Sequence, residues 1–251
     1  AWGYMENGLV LDRWDIVRLA AGAAHTLALR TNGTVIAWGD PGEGQCEVPA
    51  GLANVVAIAA RENYSMALRA DGTVVAWGNN DYGQCDVPED LADAIAISAG
   101  FYHGVALRAD GTVVVWGDDS YDQFNVPEEA TNVVAIAAGG MFSLALRADG
   151  TVVAWGDNGG NQLEVPEGLS GVVAIAAGYE QCLALLDDGT VVAWGENSDG
   201  QFDLPEGLTN VRAIAAGDTL NMALLRTRDL EEDTTAPDIY GCRDLIVPVL
   251  N

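Results

Sequence analysis

Residues 149–178 read DGTVVAWGDNGGNQLEVPEGLSGVVAIAAG, and the chain repeats close copies of this stretch along most of its length. Its parts read as short strands. Asp149-Gly150 is a tight-turn pair, the strongest short-range signal for a hairpin. TVVAWG after it is a strand. The segment ending in LEVP reads as a short outer strand, with its proline suited to an edge. VVAIAA is apolar throughout, which predicts a strand buried on both faces, and its alanines leave room for close approach near an axis.

Working outward, the Trp-Gly pair falls at Trp38, Trp77, Trp116, Trp155 and Trp194 with a constant step of 39 residues. Another opens the chain at Trp2. The hairpin pair keeps the same step at Asp71, Asp110, Asp149 and Asp188, and Asn32-Gly33 stands in the first copy. Four strands per roughly 40 residues, repeated, predict an all-β protein: a β-propeller of six four-stranded blades, or seven if sequence is missing. A linear stack needs polar terminal repeats, and the terminal copies here are not polar. The last unit lacks its third strand, because RTRDLEED follows Leu225 where DGTVVAWG belongs. Ala1-Trp2-Gly3 looks like that strand, so the ring is expected to close with Trp2 beside Met222–Leu225. Six tryptophans sit at the Trp-Gly position and are expected to pack blade on blade, while Trp14 fills the core of a shortened first unit.

Of the 251 residues, 49% are hydrophobic, enough for a core. The net charge is −26, with 37 acidic residues against 11 basic ones, all of them arginine. Such a surface repels phosphate backbones and anionic lipid, so no nucleic-acid partner is expected. No apolar run approaches the about 18 residues of a membrane span. Ala1 is not preceded by a charged-then-apolar leader, so a signal peptide either has been removed or never existed. Cys46, Cys85, Cys182 and Cys242 form no CxxC pair. Cys46 and Cys85 take a repeat position held elsewhere by Phe124, Leu163 and Phe202, which reads as a small apolar side chain.

The pattern AAGxxHxLALRxDGTVVAWG resembles the regulator of chromosome condensation repeat in its short bacterial form, over residues 1 to about 225. The chain is also similar to the propeller-type β-lactamase inhibitors of soil bacteria, which open on a VVAWG strand and end on an AL strand. That resemblance implies seven blades as the usual number, against six units counted here. The tail differs: residues 231–251, EEDTTAPDIYGCRDLIVPVLN, resemble the start of a hyalin-repeat, immunoglobulin-like domain. The expected organisation is therefore a propeller over 1–228, then a linker and the first segment of a truncated second domain over 229–251. A larger extracellular parent, with Cys242 left as a free thiol, follows from that resemblance.

Comparing the repeats with one another shows where they differ. The Asp-Gly hairpin and the VPEGL return are nearly constant. The loop after AAG and the loop after AWG vary. In an up-and-down sheet the first and third connections share one end, so both variable loops are expected on one face. Six of seven tyrosines lie in them: Tyr4, Tyr64, Tyr82, Tyr102, Tyr121 and Tyr179. Phe101, Met141 and Phe142 join them, among Asn, Asp, Ser and Gly. This mixture of rigid aromatics and small polar groups resembles a paratope. The third residue of the AAG loop (His25, Tyr64, His103, Phe142, Gln181, Leu220) reads either as a channel plug or as a binding residue. The partner-binding candidates are Arg61, Tyr64, Tyr82, Phe101, Tyr102, His103, Tyr121, Met141, Phe142 and Tyr179. Arg61 stands where five other copies carry glycine. If that position needs a positive φ, arginine costs about 1 kcal/mol there.

Catalytic signatures are missing. There is no G-x-S-x-G, H-E-x-x-H or phosphate loop. Asp118, Ser120 and Asp122 have the opening spacing of a calcium loop and Glu129 stands at its twelfth position, but Gln123 replaces the required glycine and Pro127 interrupts. A solvated Asp turn is the better reading, so neither cofactor nor metal is expected. Asn32-Gly33-Thr34 and Asn63-Tyr64-Ser65 match the glycosylation pattern, the first being the hairpin turn itself. The expected function is a non-enzymatic, secreted or cell-surface propeller that binds a protein partner, monomeric within a larger chain. The alternatives are a β-lactamase inhibitor, as the resemblance implies, and a carbohydrate-binding or enzymatic module in the propeller funnel.

Overall fold

The computed structural model describes residues 15–205 and 207–226. Five three-stranded antiparallel sheets follow one another: β1 (Ile16–Ala21), β2 (His25–Arg30), β3 (Val35–Gly39); β4 (Val55–Arg61), β5 (Tyr64–Arg69), β6 (Val74–Gly78); β7 (Ala94–Ala99), β8 (His103–Arg108), β9 (Val113–Gly117); β10 (Val133–Ala138), β11 (Phe142–Arg147), β12 (Val152–Gly156); and β13 (Val172–Ala177), β14 (Gln181–Leu186), β15 (Val191–Gly195). A two-stranded sheet, β16 (Val211–Ala216) with β17 (Asn221–Leu225), ends the series. The first strands of successive sheets contact one another, so they form the inner layer of a propeller-like fold.

Six four-stranded blades are therefore not what the chain builds. The expected fourth strand is a pair of turns, because its backbone bonds close on themselves. In the second unit, Gly83 N–H donates to Asn80, Asp86 to Gly83 and Val87 to Cys85. Side chains complete the knot: Asn80 Oδ1 accepts from the Cys85 N–H at 2.7 Å. With its donors satisfied locally, the segment has none left for a ladder. Ala1–Gly3, Tyr4, Trp14 and residues 229–251, with Cys242, lie outside the described residues, as does the expected closure by Trp2.

Burial also departs from expectation. The middle strand, not the inner one, is buried on both faces. The inner strands are half-buried, and their second residues (Val17, Val56, Ile95, Val134, Val173) are exposed. A register shift at that residue takes it out of the ladder in all six units.

The LAL pattern of the middle strand explains how sheets stack. Its large residues meet the alanine and tryptophan of the next unit: Leu27 and Leu29 with Ala67 and Trp77, Met66 and Leu68 with Ala106 and Trp116, Leu144 and Leu146 with Ala184 and Trp194. Large on small fills the space between neighbouring sheets. Each indole also donates across the junction. Trp77, Trp116, Trp155 and Trp194 bond the carbonyls of Gln45, Gln84, Gln123 and Gln162, one unit earlier, at 2.9–3.0 Å. These four tryptophans are thus blade-to-blade packing, as their spacing predicts.

Candidate protein-binding face

Both variable loops stand at one end of the sheets. Asp118 N–H bonds the carbonyl of Tyr102 and Asp157 N–H that of Met141, which ties each AWG loop to its own AAG loop. At the other end each hairpin glycine accepts from the start of the next unit, as Gly72 does from Ala94.

The AWG loop obeys a fixed grammar beneath its varied letters. A glutamine repeated at Gln45, Gln84, Gln123 and Gln162 is buried. Its Oε1 accepts from the backbone N–H two residues back, at 2.7–2.9 Å. The Asn or Asp three residues after the tryptophan accepts from the residue after the glutamine in the second, third and fourth units, and in the fifth, where the glutamine is Gln201. Asn, Asp and Ser in this loop are therefore internal staples, not adaptable contacts. Asp118, for one, accepts from both N–H and Oγ of Ser120. The residue five after the tryptophan is left to point outward, and it is Tyr82 in the second unit and Tyr121 in the third, both 49% exposed. The glutamines were the missed signal, since their step of 39 matches that of the tryptophans.

The AAG loop divides in the same way. Its third residue faces the next unit. His25 Nε2 meets Ser65 Oγ at 2.8 Å, and His103 Nε2 meets Ser143 Oγ at 3.0 Å. Tyr64 donates to the carbonyls of Gly100 and His103, and Gln181 to that of Gly217. Tyr64, His103 and Phe142 are fully buried and offer a partner no surface. The strand register, which the sequence cannot supply through a loop, turns them inward. Burial holds His103 neutral, with its pKa pushed down to about 4. Met141 is half-buried, its sulfur 3.7 Å from Gln123 Nε2.

Position 61 does not need a positive φ. The residue in the left-handed region is Glu62, at 41°. Other copies carry glycine because a Cβ would strike the third residue of the loop, as at Gly100 with the His103 ring and at Gly139 with that of Phe142. In the second unit the ladder runs one pair further, Arg61 opposite Tyr64, and removes the conflict.

What remains outward is one aromatic row. Tyr82 stacks on Tyr102 with centroids 4.3 Å apart. Tyr102 meets the edge of Phe101, and Phe101 stacks on Tyr179 at 5.1 Å. Phe101 and Tyr179 belong to units three and five. They meet across the fourth because its first loop residue is Gly140, where a Cβ would reach the Tyr179 backbone and ring. Arg61 lays its guanidinium 4.8 Å over Phe101 and pairs with Asp218 at 2.9 Å. Carboxylates surround the row. Glu180 and partial burial raise the Tyr179 phenol pKa, and partial burial with Glu62 raises that of Tyr102. Backbone bonds hold the loops in place, from Ala23 to Glu62 and from Phe101 to Gly140. Among the described residues, no group of three or more His, Cys, Asp or Glu is placed to hold a metal. Cys46, Cys85 and Cys182 are free, and burial raises each thiol pKa, that of Cys85 to about 11.

Stacked up-and-down sheets, joined by tryptophan and carrying one fixed and one variable end, define an all-β repeat scaffold of the propeller class. The chain belongs to the regulator of chromosome condensation (RCC1) repeat family, whose model matches residues 16–45, 55–84, 94–123, 133–162 and 172–201. Human WBSCR16 has a similar structure, with a TM-score of 0.69 at 20% identity over 84% of this chain and 72% of that one. The entire ectodomain of the Physcomitrella patens receptor kinase CR4 gives 0.68 at 26% identity over 81% and 59%. Yeast RCC1 (Prp20), solved bound to Kap60, gives 0.67 at 22% over 84% and 68%. No curated protein sequence matches the chain.

Proposed function

We propose that this chain is a non-enzymatic protein-binding propeller that works outside the cell or on its surface and takes its partner on the AAG/AWG face. The observation that carries the reading is the row Tyr82–Tyr102–Phe101–Tyr179, exposed at its two ends and half-buried between them. Aromatic rings in van der Waals contact, on loops held by buried side chains and backbone bonds, lose little entropy on binding and bury large area. Relatives of the same fold support the class. Yeast RCC1 is bound to the protein Kap60, and the moss relative is a receptor ectodomain, which favours the cell surface. The binding surface is narrower than the sequence alone suggests. It comprises Arg61, Tyr82, Phe101, Tyr102, Tyr121 and Tyr179, with Met141 at its margin.

The test is capture of a partner from the extracellular fraction of the source organism, followed by variants. Tyr102→Ala with Tyr179→Ala is expected to weaken binding at least about tenfold, since central aromatic anchors are worth about 2 kcal/mol each. Both side chains stand partly in solvent, so the melting temperature stays near that of wild type. Binding that survives this change and is lost on altering Asp110 or Glu167, at the opposite end, overturns the reading.

A further inference from the structure

The aromatic row has an electrostatic setting that narrows the partner. The two ends of the molecule carry charge differently. At the hairpin end arginines sit among the acids: Arg108 pairs with Asp90 and Asp93, Arg147 with Asp149, and Arg30 with Asp15. At the aromatic end, Arg61 is the one cation in the described AAG and AWG loops, and Asp218 already holds it. His25 and His103 are buried there, and burial lowers the pKa of each. Glu62 and Glu180 are left around the rings, with Asp118, Asp157 and Glu196 beside them holding their own loops. Burial raises the pKa of Glu62 and Glu180, and neighbouring carboxylates raise both further: Asp218 for Glu62, Asp157 and Glu196 for Glu180. Negative charge there is crowded and under-compensated, which favours any cation that arrives.

Arg61 shows what such a surface does with a guanidinium. The planar group lies over the Phe101 ring and bonds one carboxylate from a distant unit. Ring below and carboxylate beside is the combination that suits arginine, which stacks and donates in one plane. A ring beside a carboxylate recurs along the row. Tyr82, 49% exposed, stacks on Tyr102, which lies beside Glu62, and Tyr179, 43% exposed, lies beside Glu180. We propose that the partner docks through a basic segment whose arginines stack on the two exposed rings, Tyr82 and Tyr179, and pair with Glu62 and Glu180. The proposal rests on the protein-binding reading above and adds the chemistry of the partner. An acidic segment is repelled here. A purely apolar one buries the carboxylates without pairing them and leaves their desolvation uncompensated.

Selection of random peptides of about a dozen residues, displayed on phage, tests this on the whole chain and on its Tyr102→Ala/Tyr179→Ala variant. Peptides retained by wild type and lost on the variant are expected to be rich in arginine. A synthetic copy is expected to bind at least about tenfold more weakly when its arginines become citrulline, which keeps the shape and removes the charge. Its affinity is also expected to fall with added salt. Glu62→Gln/Glu180→Gln leaves the rings in place and makes the same discrimination without touching an aromatic. The selected peptides are expected to lose affinity on that variant too. Peptides that need the tyrosines but carry neither arginine nor lysine overturn this inference and leave the binding face standing. Selection that finds no peptide separating wild type from the tyrosine variant overturns both.

Discussion

The two ends of the sheets do different work with similar loops. At the hairpin end each turn uses its own side chain to hold itself. The carboxylates of Asp71, Asp110, Asp149 and Asp188 each accept from the N–H and hydroxyl of the threonine two residues on. A residue tied to the turn in this way has little freedom to vary. At the aromatic end holding and display are assigned to different positions. Buried glutamines, Asn/Asp caps and the inward third residue of the AAG loop do the holding. The aromatic side chains of the first two residues of that loop, and of the residue five after tryptophan, are the ones displayed. A surface can diversify where its scaffold contacts are made by residues other than the ones that change.

Several measurements break or sharpen this contrast. The largest effect is expected from Trp155→Ala, which empties a buried site and leaves the Gln123 carbonyl without its indole donor. A loss of about 3–5 kcal/mol is expected in denaturant unfolding, because the junction under both ends is removed. Acid comes next. Unfolded histidine takes up its proton near 6.5, and buried His103 only near 4. The stability of the neutral ring is therefore complete above 6.5 and is lost as pH falls towards 4. The fourth and fifth units fill the same junction with Phe142 and Cys182, in one core cluster. His103→Phe/Ser143→Cys copies that pair and is expected to flatten the fall of melting temperature between pH 6.5 and 4.5.

A smaller effect is expected from Gln123→Ala. It strands the Tyr121 N–H and loosens Asp118, at about 1–3 kcal/mol in unfolding. Faster amide exchange at Tyr121, with the hairpin of the same unit unchanged, distinguishes holding from general damage. The smallest is Asp149→Asn at the opposite end. Its amide oxygen still accepts from Thr151, so melting temperature and partner affinity are both expected near wild type. A large loss of affinity there ends the contrast between the faces.

The period of 39, the first three strands of a unit, the tryptophan junctions and the sharing of one face by both variable loops were all legible in the sequence. Each depends on neighbours along the chain or on alternation within one strand, and repetition multiplies the signal. The tertiary structure decided the rest. Whether LEVP pairs as a fourth strand depends on where Asn80 and Gln84 place their side chains, and turn bonds won. Whether a loop tyrosine faces solvent depends on register. Tyr64 and Tyr102 are neighbouring letters of equivalent loops, third and second, yet one lies between sheets and the other in the aromatic row. Arg61 looked strained because glycine usually signals a positive φ, whereas here glycine makes room for a ring. The meeting of Phe101 with Tyr179 across Gly140 joins residues 78 positions apart. Local pattern carries no trace of such a contact, because it exists only once the sheets are stacked about their axis.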